Sequence, residues 1–349
     1  MFISPDNSYL QYSGRIDFDN PKVPEFVYPC SSIKMRFCGT SIKVTVENHK
    51  NYWGSYLGYI LDGKQGKIKL PDTGKVTLEL ATGLENAEHE LLFFKRMDSC
   101  HTFQFYGFEL SEGAELLTVE EKPKRRMEVY GDSISAGEIS EAVEYVGKPD
   151  PEHDGEYSNS YYSYSWMTAR KLNAEIHDIA QGGAALLNKT GWFCAPDYVG
   201  MEEIYDKIQY NLQLGAAKTW DFAKYRPHVV IVAIGQNDSN PENYMAQDYE
   251  GAKACHWRSE YKAFIIRLRE LYPNATIILT TTLLEHHANW DKAIDQVCME
   301  LDDKKVHHFL YSKNGIGTPG HVRIPEAEMM SDELTAFIES LGEEIWQDA

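Results

Sequence analysis

The sequence lacks the patterns that mark several protein classes. No stretch approaches the ~18 consecutive apolar residues that a membrane-spanning helix needs. The opening "MFISPDNSYLQYSGRIDF" has no basic segment leading into an apolar run, so it does not read as a signal peptide. Basic residues are scarce, with 34 Lys and Arg against 53 Asp and Glu, a net charge of −19. Such a surface repels phosphate backbones and anionic headgroups, so nucleic acid and membrane partners are not expected and a neutral substrate is. The six cysteines (Cys30, Cys38, Cys100, Cys194, Cys255, Cys298) are scattered without a CxxC pair, which points to reduced thiols and a cytoplasmic protein. Metal signatures are missing too. There is no HExxH, and the adjacent pairs His286–His287 and His307–His308 would point to opposite faces of a strand. Neither a metal nor a cofactor is expected.

What is present divides into two halves with different periods. From about residue 8 to 120, short alternating runs are separated by Gly, Asp and Asn. "SIKMRFCG" and "SIKVTVEN" flank a turn expected at Gly39–Thr40, "SYLGYILDGKQGKIKL" carries an Asp62–Gly63 turn, and "KVTLELAT", "HELLFFKRM" and "FQFYGFELSEG" follow. This spacing predicts an antiparallel β-sandwich or jelly roll. "EEKPKRR" at 120–126 reads as a linker, which puts the domains at 1–122 and 123–349. Beyond it, "RMEVYG", "AEIHDIA", "HVVIVAIG" and "ATIILTTT" are short apolar runs suited to a buried parallel sheet. Between or after them lie helical stretches such as "GAKACHWRSEYKAFIIRLREL" and "MMSDELTAFIESLGEEIW". The alternation predicts a three-layer α/β domain.

Ligands sit at the carboxyl ends of strands in such sheets. "GDSISAG", "QGGAA" and "GQNDSN" follow three of the runs, and "GTPGHV" lies near the chain's end. Together they place a serine, a glycine, an asparagine and a histidine on one rim. Those are the parts of an acyl-transfer site: a hydroxyl, a base that titrates near neutrality, and donors for an oxyanion. Asp132 and Asp238 read as organisers of their turns. Trp257 and Trp290 read as core.

"GDSIS", Gly183 in "QGGAA", "GQND" and the late histidine resemble the four blocks of the SGNH (GDSL-like) hydrolases. That resemblance implies Ser133 as nucleophile, His321 as base, and an oxyanion hole from the N–H of Ser133, the N–H of Gly183 and the side chain of Asn237. A jelly roll before such a domain is similar to carbohydrate esterase family 2, as are "PDY" at 196–198 and "LYPNATIILTTT". This likeness implies an enzyme that removes O-acetyl groups from plant oligosaccharides, fragments of xylan or mannan, through an acetyl-serine and without metal. The first half is then expected to wall the cleft. The family's usual acid stands two or three residues before the histidine, where this sequence has Pro319 and Thr318. The expectation is therefore a Ser–His dyad, with an acid from elsewhere in the chain as the other possibility. Trp192 and Tyr198, in "NKTGWFCAPDY", are candidates for stacking on sugar. Alternatives are an esterase for another small acyl ester, or an inactive protein that binds carbohydrate.

Overall fold

The computed structural model describes residues 1–211 and 215–347. In the first half five strands carry the architecture: β1 (Ser32–His49), β2 (Tyr56–Leu61), β3 (Lys64–Lys69), β4 (Lys75–Lys95) and β5 (Thr102–Leu110). They form an antiparallel β-sandwich joined as one continuous sheet, in the order β5–β1–β4–β2–β3. Shorter strands extend it, among them Glu115–Leu117 on β1 and Phe2–Ile3 on β5. Alternation buries one face: Ile33, Met35, Phe37, Val44 and Val46 pack with Leu91, Phe93, Phe103, Phe105 and Phe108. Full burial of each such side chain stabilises the fold by roughly 1.5–3 kcal/mol.

The turn expected at Gly39–Thr40 is absent, and β1 runs straight through it. Buried positions are odd before Gly39 (Ile33, Met35, Phe37) and even after it (Ile42, Val44, Val46), so the alternation slips by one residue. The register slips there as well: Gly39 pairs with Ala87, but Ser41 pairs with Thr82. A bulge and a turn leave the same mark in a sequence, a glycine at a break of phase. For the same reason "KVTLELAT" and "HELLFFKRM" are one strand, β4, which passes through Gly83. The Asp62–Gly63 turn does form, with φ of 50° and 75°, as a two-residue hairpin loop requires.

In the second half β6 (Arg125–Gly131), β7 (Ala174–Ala180), β8 (Val229–Ala233), β9 (Thr276–Thr280) and β10 (Val306–His308) form a parallel sheet in the order β7–β6–β8–β9–β10. Arg125 and Arg126, expected in the linker, belong to β6. Their backbone pairs with Ala174 and Glu175 while Arg125 reaches out to Glu343, so a charged pair hides a strand start. Helices cover both faces. On one, α3 (Ala252–Leu271) and α4 (Asn289–Leu301) bury Trp257, Phe264, Trp290 and Ile294 against Val230, Val232, Ile277 and Leu279. On the other, α2 (Tyr164–Lys171) and α5 (Ile324–Ser340) bury Met167, Met330 and Leu334 against Val129, Ile231 and Ile278. Neighbouring strand residues thus serve opposite layers, which explains the unbroken apolar runs. Helix α5 starts five residues before the expected Met329, because Pro325 stands in its first turn and Arg323 with Glu326 caps it.

Candidate active site

Strand β6 ends at Gly131, and Asp132 then caps a short helix, α1 (Ser133–Ala136). The Asp132 carboxylate accepts the Ile134 N–H at 3.0 Å. Its other oxygen accepts Gln236 Nε2 at 2.7 Å and Asn237 Nδ2 at 3.1 Å, which ties the loop after β6 to the loop after β8. Burial raises the Asp132 carboxyl to about 6, against the hydrogen bonds that favour its charge. The tight bend fixes Ser133 in the lining of a cavity of about 600 Å³, shared with Gly183, Asn237 and His321. The four blocks predicted from sequence therefore meet in one place.

The backbone donors around the cavity sort themselves. Gly182 N–H donates to Asp98 Oδ2 at 2.9 Å and Ala184 N–H to Gln181 O at 3.1 Å. Gly183 N–H between them, and Ser133 N–H at the start of α1, have no protein acceptor among the described residues. Gly183 sits at φ +72°, and a Cβ there would stand 2.8 Å from Trp192 Cβ, so only glycine fits. Asn237 lies within reach of the same space. Its amide nitrogen donates to Asp132 Oδ2 and to Ala184 O, both at 3.1 Å, and it must share or release one of these to serve an oxyanion. Asp238, as expected, organises a loop, accepting the N–H groups of Leu186 (2.8 Å) and Leu187 (3.2 Å).

The expected dyad is not what the structure contains. Asp150 Oδ2 lies 2.6 Å from His321 Nδ1, and Asp150 Oδ1 accepts the His321 N–H and Arg323 Nη2, each at 2.8 Å. The acid comes from "GKPDPEHD", more than 170 residues before the histidine, between Pro149 and Pro151. Pro319 and Thr318 give no anion, and the loop after α1 supplies it. Although burial opposes it, the hydrogen bonds from His321 and Arg323 hold the Asp150 carboxyl well below the usual carboxylate range. For His321, burial alone would favour the neutral ring, but Glu138, Asp150 and Asp132 outweigh it and raise its affinity for a proton.

The walls came less easily from sequence. Trp192 stands at the rim, 64% exposed, beside Phe193 and Cys194. Tyr198 does not join it: half-buried, it makes backbone hydrogen bonds with Cys194 and Lys189 within its own loop and does not line the cavity. The opposite wall comes from the β-sandwich, whose loop after β1 contributes Asn51, Tyr52 and Trp53. Trp53 packs edge-on against His153, and Tyr52 donates to Asp98 Oδ2 at 2.7 Å. Tyr52 and Trp53 adjoin a glycine in "KNYWGS", a signal for an exposed aromatic loop, but nothing in the sequence aims that loop at Ser133. Among the described residues, Asp98, Cys100 and His101 are the one group whose potential metal-ligand atoms converge, within 4.8 Å. Asp98 Oδ2 already accepts Tyr52, Gln181 and Gly182, so the group reads as a carboxylate gathering donors beneath the cavity.

Comparison with known proteins agrees with this layout. Residues 12–119 match the family model described as "Carbohydrate esterase 2 N-terminal". The whole chain also superposes on a family two carbohydrate esterase from Clostridium thermocellum, solved in complex with cellohexaose. The TM-score is 0.79 at 27% identity, covering 95% of this chain and 98% of that one. The chain is related to the family 2 carbohydrate esterases. Acetivibrio thermocellus cellulase/esterase CelE is 29% identical over 346 residues, 96% of this chain, and the chain spans only 40% of that protein's length. Cellvibrio japonicus acetylxylan esterase / glucomannan deacetylase is 27% identical over 342 residues, 95% of this chain and 89% of that protein. Both halves thus share the family's architecture, an antiparallel β-sandwich followed by a parallel-sheet α/β unit.

Proposed function

We propose that the protein is a serine esterase that removes O-acetyl groups from neutral plant-derived oligosaccharides, acetylated xylan or mannan fragments. The observation that carries this reading is the convergence in one cavity of Ser133, the His321–Asp150 pair and two backbone N–H groups without acceptors. In this mechanism Ser133 Oγ attacks the acetyl carbonyl carbon as His321 Nε2 takes the hydroxyl proton. The charge that develops on the carbonyl oxygen is met by the N–H groups of Ser133 and Gly183, joined by Asn237 Nδ2. Each well-placed donor lowers the barrier by roughly 2.7–4 kcal/mol. Collapse breaks the bond to the sugar oxygen, which leaves with the proton from Nε2. Water then repeats the sequence on the acetyl-serine. Asp150 holds the Nδ1–H tautomer and stabilises the imidazolium. Trp192, Trp53 and Tyr52 offer ring faces to the apolar side of a pyranose.

The relatives' names support the substrate class, since one is an acetylxylan esterase / glucomannan deacetylase and another was solved with a glucan oligosaccharide. The test is acetate release from 4-nitrophenyl acetate and from acetylated xylo- and manno-oligosaccharides by wild type, Ser133→Ala and His321→Ala, with and without EDTA. Release that resists EDTA and is lost in both variants is expected. Unchanged rates in the variants would overturn the assignment, and inactivity on every ester with retained glycan binding would favour a binding protein.

A further inference from the structure

Glu138 lines the same cavity and takes no part in the acyl transfer. It is separated from the end of α1 by one residue. Gly137, in the left-handed conformation, turns the chain back, and the Glu138 N–H donates to Ser133 O at 3.0 Å. Its carboxyl is therefore fixed to the nucleophile's own turn. Oε1 lies 3.8 Å from His321 Nε2, the nitrogen that must take the Ser133 proton. No hydrogen bond in the structure joins Ser133 Oγ to that nitrogen. Oε2 is buried and has no hydrogen-bond partner among the described residues. It faces the space over Gly182, where a Cβ would stand 2.5 Å from it and 2.6 Å from Asp98 Oδ2. The imidazole thus lies between two carboxyl groups, Asp150 on Nδ1 and Glu138 on the Nε2 side.

We propose that Glu138 is a positioning residue for the base. When ionised it holds the Nε2–H of a protonated His321 and draws the ring from Ser133. The Glu138–His321 pair, rather than His321 alone, then sets the pH at which the serine is activated. The inference rests on the reading of Ser133 and His321 as nucleophile and base.

The groups that face the pair are mostly acidic. Asp98 and Tyr52 approach Glu138 from the β-sandwich side, Asp132 from the cap of α1, and Asp150 from the loop after it. His153 faces His321 from that same loop, and Arg323 bonds Asp150 from the cap of α5. Burial, and then repulsion from Asp98, Asp150 and Asp132, keep the Glu138 carboxyl well above the usual carboxylate range, while His321 opposes this. An acid so placed shares its proton with the imidazole. One tautomer, neutral acid beside neutral ring, can activate Ser133. The other, carboxylate beside imidazolium, cannot, because Nε2 already carries the proton. The carboxylate–imidazolium form loses its proton as pH rises through the raised titration of His321, and the neutral ring then takes over.

Glutamine keeps the shape of Glu138 and removes its charge, so imidazolium loses one of its two anionic neighbours and titrates lower. An opposite charge at this range shifts a pKa by about 1–3 units. In Glu138→Gln the acid limb of kcat/KM for 4-nitrophenyl acetate is expected to move down by about one unit, so that the variant outperforms wild type at low pH. A residue that merely fills space would not produce that gain. The deciding measurement is independent of turnover: the titration of the His321 ring by NMR in Ser133→Ala, with and without Glu138→Gln. The ring is expected to titrate lower with glutamine, and in wild type to report two inflections from the coupled pair. A lower His321 titration in a protein inactive on every ester would support the pairing while the esterase reading fails. Overlapping curves from variants of equal melting temperature would overturn the proposal. If the glutamine variant does not fold, a single wild-type inflection would overturn it equally.

Discussion

Asp150 Oδ2 stands 2.6 Å from His321 Nδ1, and the same carboxylate's other oxygen takes the histidine's backbone N–H and the Arg323 guanidinium. One acid thus fixes the ring's tautomer, its plane and the loop that carries it. Asp150→Asn keeps the shape but offers an amide where an anion stood. The wrong tautomer is then favoured and the imidazolium loses its counter-charge. We expect kcat/KM for 4-nitrophenyl acetate to fall by roughly 10²–10⁴-fold with little change in KM. A fall of less than threefold would return the site to a dyad.

The same pair makes stability depend on pH. Asp150 is held below its unfolded value, so its contribution is present above the unfolded pKa, about 4, and is lost as pH falls through the lower folded value. Wild type should therefore lose melting temperature more steeply than Asp150→Asn between pH 5 and the acid limit of folding. Parallel melting curves across that range would show that the pair carries no such linkage.

Trp192 is exposed at the cavity, whereas Ser133 and Asn237 are buried in its lining. Its removal should separate binding from chemistry. In Trp192→Ala, KM for acetylated oligosaccharides is expected to rise about three- to tenfold, the value of one aromatic stacking contact. The rate on 4-nitrophenyl acetate should hold. Equal losses on both substrates would mean that the indole supports Gly183, whose neighbour it is, rather than sugar.

The fold was legible where a local pattern carried it, and the site where each block followed its own strand. Ser133, Gly183, Asn237 and His321 could be placed because each lies just past an apolar run or in a glycine-rich loop. Asp150 could not. Its loop has no period, and only tertiary folding brings it to a histidine more than 170 residues later. Glu138 reads as any polar residue after a glycine turn; its meaning comes from Gly182 and Asp98, which approach from the loops after β7 and β4. Tyr52 and Trp53 belong to the other half altogether. The Gly39 break misled for a related reason, since a phase slip is local and the facing strand that absorbs it is not.

Gly183 tests whether an open backbone donor matters. Alanine at φ +72° costs about 1–2 kcal/mol in conformation alone, and its Cβ would meet Trp192 Cβ. Gly183→Ala should lower the melting temperature modestly and kcat by at least tenfold, because the displaced N–H no longer aims at the oxyanion. A folded variant with full kcat would remove Gly183 from the site.

Arg15 and Glu128 join the two halves, and neither lines the cavity. Both side chains are fully buried, 3.4 Å apart, one in the β-sandwich half and one on β6. Glu128 also accepts the hydroxyls of Tyr130 (2.5 Å) and Tyr272 (2.6 Å), and Arg15 donates to the carbonyls of Tyr205 (2.7 Å) and Lys207 (3.0 Å). Removing one partner strands the other's charge without water, so Arg15→Met should cost about 3–5 kcal/mol in urea unfolding. The double variant Arg15→Met with Glu128→Gln should recover part of that loss, because no uncompensated charge remains. If the two losses simply add, the pair is not coupled, and the seam between the halves is held by its other contacts, among them Gly182 and Gln181 on Asp98 and Arg96 on Glu141.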